Sequence, residues 1–245
     1  MTVPPTGQDI FEANRWLRLA GVAGILFLVT FIVQIFLVPQ APDYNATTRD
    51  IVSYYTQHRT GIQLGAWMTG LFAILYGVFL AGIWGTLRRT NALWLATLGL
   101  AAGIGNSLTL FAGHAINVAL ANDVASRYGS DTGLITALFK VASLLTMMFN
   151  TWTDGLSVLA FSAAILLSGV FLGRMRWIGW AGVISGAALL VGMLAVFDPA
   201  GPMVMASAVG ALTWFIWIAG LSIRLIRAPH RPDLLPTAAQ AATTS

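Results

Sequence analysis

The chain has no cysteine among its 245 residues. Disulfides, thiolate metal sites and c-type haem attachment are therefore excluded, and the redox compartment is left open. Charge is nearly as scarce, at 9% Asp, Glu, Lys and Arg against about 25% in an average soluble domain. Lysine occurs once, at Lys140, so that 12 of the 13 basic residues are arginine. No phosphate-binding glycine-rich loop, HExxH pair or nucleophile elbow is present. Of the three histidines, His58, His114 and His230, His114 alone falls in an apolar run, and we expect no metal and no cofactor. The formal charge of +4 would suit an acidic partner, but the basic residues sit where membrane topology wants them, and no nucleic-acid partner is expected.

What the chain has in abundance is apolar sequence, 57% of its residues. Several runs reach the roughly 20 residues that a helix needs to cross a hydrocarbon core about 30 Å thick. Only helices and closed barrels satisfy their backbone hydrogen bonds there. The fold class expected is all-α, a polytopic helical membrane bundle with spans at 18–38, 62–86, 92–118, 152–172, 177–197 and 203–223. The first run, "LAGVAGILFLVTFIVQIFLV", is longer than the h-region of a cleaved signal peptide and reads as a retained span. The domain organisation expected is a cytoplasmic N-terminal segment at 1–14, one six-helix transmembrane domain at 15–227, and a disordered Pro, Ala and Thr rich tail at 228–245.

Orientation follows from the arginines. With the N-terminus inside, Arg15, Arg18, Arg88, Arg89, Arg174, Arg176, Arg224, Arg227 and Arg231 fall on the cytoplasmic side, and Arg49, Arg59, Arg127 and Lys140 on the outer side. The positive-inside rule then puts both termini in the cytoplasm. The same rule rejects residues 134–150, "LITALFKVASLLTMMFN", as an independent span, because inserting it would send five of those arginines outside. We expect it to extend the fourth helix outward or to lie along the interface. Trp16, Trp84, Trp94, Trp177 and Trp180 cluster at the proposed inner boundary, where amphipathic rings gather. In the outer loop, a short helix over about 47–59 is predicted, with Thr47 as its cap and Asp50 three residues on; Ile51, Val52, Tyr54 and Tyr55 are expected to rest on the membrane surface. Asp198-Pro199 suits an N-cap followed by proline in the first helical turn.

The candidate site is a polar stripe. At about 100° per residue, Thr136, Lys140, Ser143, Thr146, Asn150, Asp154 and Ser157 share one arc, which predicts a single long helix over about 132–172. Gly155 would permit a bend in it. The third span offers a facing stripe of Gly103, Asn106, Thr109, Gly113 and Asn117, with His114 at its edge. Simple hairpin pairing puts Asn106 near Met147 to Asn150 and His114 near Lys140. A helix entering the membrane only at 152 would instead bring Asp154 to the depth of His114, and the sequence leaves both registers open. An aspartate or lysine near mid-membrane costs about 2.5 to 3.5 kcal/mol on insertion scales, so both should face protein or water. Four readings stay open for Asp154, Asn150, His114, Asn106, Asn117 and Lys140. They are a structural seam, a pocket for a small amphipathic ligand or lipid, a transport path, and an intramembrane enzyme using Asp154 and His114 as acid and base. Gly99-x-x-x-Gly103 and Gly182-x-x-x-Gly186 read as close helix packing.

The outer "YYTQHRTGIQLGAWM", the polar "FNTWTDG" and "LSGVFLGRMRWIGWAGVISGAALLVG" together resemble bacterial six-helix proteins of the domain-of-unknown-function 4386 family, over about 15–225. The resemblance implies a multi-pass protein of the bacterial inner (plasma) membrane, with the lipid bilayer as its surroundings, and carries no functional residues onto this chain.

Overall fold

The computed structural model describes residues 7–124, 132–169, 176–197 and 201–227, whose regular structure is entirely helical. The α-helices are α1 (Gly7–Leu37), α2 (Thr48–Gln57), α3 (Arg59–Leu87), α4 (Leu93–Ala119), α5 (Thr132–Ser143), α6 (Asn150–Ser168), α7 (Arg176–Gly192) and α8 (Met203–Arg227). A π-helical turn at Leu144–Phe149 joins α5 to α6 without a break, another at Leu120–Val124 extends α4, and a 3₁₀ turn at Met193–Val196 ends α7. Six continuous helices are long and apolar enough to cross a membrane: Arg15–Leu37, Arg59–Leu87, Leu93–Asn122, Gly133–Ser168, Arg176–Val196 and Met203–Arg227. The Asp198-Pro199 cap, the 228–245 tail, Arg127, Arg174 and Arg231 lie outside the described residues.

The six long helices form a ring in chain order. α1 packs on α3, α3 on α4, α4 on α6, α6 on α7 and α7 on α8, and α8 closes back onto α1; α3 also meets α6 across the middle. Successive members are antiparallel, so α1 begins and α8 ends at the same end of the bundle, called here the terminal end. Gly21 lies against Ser222 and Ile226 there, with no room for a side chain. Arg15, Arg18, Arg88, Arg89, Arg176, Arg224 and Arg227 belong to this end. The core holds Phe79, Leu80, Ile83, Val158, Phe161, Trp217 and Leu221, all at most 2% exposed. Outward-facing Ile74, Leu108, Leu167 and Leu212 are 63–66% exposed. An apolar girdle of that kind suits hydrocarbon rather than water.

Glycines set the closest approaches. A Cβ on Gly186 would stand 2.7 Å from the Gly155 carbonyl, and one on Gly155 would stand 3.0 Å from the Gly186 carbonyl, so α6 and α7 cross backbone to backbone. Gly155 thus serves packing in an unbroken helix. Gly99 and Gly182, from the two spaced pairs predicted to pack closely, lie against Phe161 and Trp217.

The long fourth helix forms as predicted from 132 but stops at Ser168, short of 172, because Gly169 turns left-handed at φ 70°. Only glycine adopts that conformation without steric cost, and it closes helices for that reason. Residues 134–150 are a continuous extension of this helix and make no separate crossing. α2 is capped as predicted, with Thr47 Oγ1 accepting from the Asp50 amide at 3.3 Å. Its apolar face goes elsewhere than expected. Ile51 and Tyr55 are 0% and 1% exposed, packed with Ile62, Leu120, Ile135 and Phe139 in a second, smaller core. The projecting α5 supplies an apolar partner at the end of the bundle opposite the termini, and Ile51 and Tyr55 of α2 are buried against it.

Candidate functional site

The π-turn decides how the polar stripe is used. The Asn150 amide N–H reaches back to the Leu145 carbonyl, five residues earlier, where an α-helix would bond four back. One extra residue in the turn rotates everything after it by about 100° relative to a regular helix. The stripe therefore splits. Thr136 and Lys140 face the start of α2 and the segment before it: Thr136 Oγ1 lies 2.9 Å from Thr48 Oγ1, and the Lys140 ammonium stands 5.2 Å from the centre of the Tyr44 ring. Asn150, Asp154 and Ser157 turn into the bundle.

Inside, the first of the two open registers is realised. Asn150 Nδ2 donates to Asn106 Oδ1, and about two turns toward the terminal end Ser157 Oγ donates to the Gly99 carbonyl at 2.7 Å. Between them, Asp154 is 7% exposed and its Oδ1 accepts a 2.5 Å hydrogen bond from the Tyr76 hydroxyl of α3. The Asn106 amide also faces this carboxylate. The remaining candidates stand apart from it. Asn117 accepts from the Tyr55 hydroxyl at 2.6 Å, tying α4 to the α2 cap. His114 sits on α4 eight residues beyond Asn106, which places it about 18 Å from Asp154 along the bundle axis. Lys140 is farther still along its own helix. The structure thus unites Asp154, Asn150 and Asn106, sends Asn117 and Lys140 to the cap, and keeps Asp154 and His114 apart.

The seam is also not confined to the third and fourth spans. Asp154, Asn106 and Asn150 line one side of a cavity of about 190 Å³ walled by all six long helices. α1 contributes Phe27 and Phe31, α3 Phe72 and Tyr76, α7 Leu189, and α8 Ser207, Ala211 and Trp214. The rings pack on one another: Phe27 lies 5.0 Å from Tyr76 and 5.5 Å, edge on, from Trp214, while Phe31 lies 5.6 Å from Trp214 and 5.8 Å from Phe72. Trp214 Nε1 is buried beside the Tyr76 hydroxyl without a well-formed hydrogen bond. Beneath Tyr76 and Asp154, toward the terminal end, fully buried Phe79, Leu80, Val158, Phe161 and Trp217 close the bundle. Toward the opposite end, the cavity rim at Phe31, Thr151 and Ser207 is partly exposed.

Sequence reasoning missed Tyr76 and the phenylalanines. Tyr76 was visible as the lone hydroxyl in "GLFAILYGVFLAG", and a buried tyrosine hydroxyl usually finds a partner. Phe27, Phe31 and Phe72 look like any lipid-facing or core phenylalanine in an apolar span. Comparison with family models, with curated proteins and with solved structures gave no match to this chain.

Proposed function

We propose that this protein is a bacterial inner-membrane protein that binds, or carries across the bilayer, a small amphipathic molecule or lipid in the central cavity. One observation carries the reading. A carboxylate, two carboxamides and an aromatic wall converge near mid-bundle on a space that is sealed on one side and rimmed by part-exposed residues on the other. Ligand sites are typically concave and mostly apolar, with a few converging polar groups, and an ionisable residue inside a membrane span is a functional candidate by default. The concentration of arginines at the terminal end supports cytoplasmic termini, which would make the rim face outward. Reporter fusions after residues 90, 128, 175 and 200 should then read inside, outside, inside and outside. The function is tested by mass spectrometry of small molecules retained by wild type and Asp154→Asn in native lipid discs. A compound held by wild type and lost from the folded variant supports the reading; bulk lipid alone in both counts against it.

A further inference from the structure

We propose that the occupant of the central cavity is an organic cation, an ammonium head of the primary to quaternary amine class. The inference rests on reading the cavity as a ligand site and names the chemistry it selects. Among the described residues, Asp154 is the sole acid lining the cavity, and no lysine, arginine or histidine lines it. Its contacts within the protein are the Tyr76 hydroxyl and the Asn106 carboxamide, which are dipoles and leave the charge of a carboxylate uncompensated. Buried charges are normally paired, and among the described residues lining the cavity none is a cation.

The wall facing that carboxylate is made of π faces and edges. Phe27, Phe31, Phe72 and Trp214 form a continuous aromatic cluster with neighbouring centroids 5.5–6.2 Å apart. Aromatic rings attract a cation through their quadrupole, tryptophan most strongly, and do so best where water is excluded. An anion would meet Asp154 and the same π faces as repulsion. A neutral apolar molecule would gain the aromatic contacts but leave Asp154 without a counter-ion. Size agrees as well. A cavity of about 150 Å³ takes a benzene-sized molecule, and about 190 Å³ takes a methylated ammonium head with a short chain leading to the rim.

The test compares choline with its uncharged isostere 3,3-dimethylbutan-1-ol, using the full chain purified in an uncharged sugar detergent and isothermal titration calorimetry. Choline should bind about tenfold more tightly or better, Asp154→Asn should erase most of that preference, and Trp214→Leu should weaken choline more than the alcohol. Phe31→Leu, which removes a ring without touching a hydrogen bond, should reduce choline binding even if the other variants fail to fold. Equal affinity for the two probes, or a charge preference that survives in folded Asp154→Asn, would overturn the cation assignment while leaving a ligand site. Binding of neither probe would overturn the cation assignment too, and co-purification of some other compound would then decide whether the cavity is a ligand site at all.

Discussion

Tyr76 on α3 donates a 2.5 Å hydrogen bond to Asp154 on α6, joining two helices that face each other across the ring. Tyr76→Phe keeps the ring packed on Phe27 and deletes the donor. A buried acceptor that loses its partner costs about 1 to 3 kcal/mol. The unfolding midpoint in detergent should fall accordingly, and an unchanged midpoint would show that the carboxylate does not depend on this bond.

Asn150 and Asn106 form the contact that sets the register of α6 on α4. Replacing each by leucine, singly and together, should give a double-mutant coupling of about 0.6 kcal/mol and at most about 1.7 kcal/mol, the average and maximum for side-chain hydrogen bonds between membrane helices. Additive losses would mean that the two carboxamides are independently accommodated.

Gly186→Ala places a methyl 2.7 Å from the Gly155 carbonyl. Backbone cannot step aside as a flexible side chain can, so the α6–α7 crossing must open, at a cost of about 1 to 3 kcal/mol. Gly77→Ala is the control, because nothing lies within 4 Å of its Cβ position; there the higher helix propensity of alanine should stabilise by up to about 1 kcal/mol. Equal effects at the two sites would refute the crossing.

The cap formed by α2 and α5 should respond to alkali. Burial, and then the neighbouring Tyr54, push the Tyr55 phenol well above its usual value of 10.0, and burial raises Tyr54 as well. The folded cap holds these protons more tightly than the unfolded chain. Its stabilisation is therefore complete below pH 10 and declines as the pH rises beyond it. The thermal unfolding midpoint of the full chain in detergent should fall as the pH is raised from about 10 to 11, and Tyr55→Phe should flatten that dependence while weakening the tie to Asn117. A wild-type midpoint with the same alkaline dependence as Tyr55→Phe would contradict the burial of Tyr55.

The spans and their order were legible because apolar length is a property of contiguous sequence. So was the stripe from Thr136 to Ser157, since 3.6-residue periodicity survives along most of one helix. What broke it was the π-turn, whose hydrogen bonds shift by one residue with no distinctive side chain in "LLTMMF" to announce it. The destination of α2 was hidden for another reason. Its apolar face looks the same whether it meets lipid or Phe139, and only the tertiary position of α5 decides between them. The cavity was the least legible feature, because Phe27, Phe72 and Trp214 come together through three helices far apart in the chain. Tyr76 and Trp214, aromatic rings that each carry a polar atom, held the only local hints.

The π-turn at Leu144–Phe149 also makes the long helix a shaft with a fixed phase offset. Its far half is keyed to Thr48 and Tyr44, and its near half to Asn106 and Tyr76. A regular helix of the same length could not engage both keyed faces together, because seating the cap would swing Asp154 about a quarter turn away from Tyr76. Deleting one residue from the turn, in contrast, would give a regular helix that keeps both engaged.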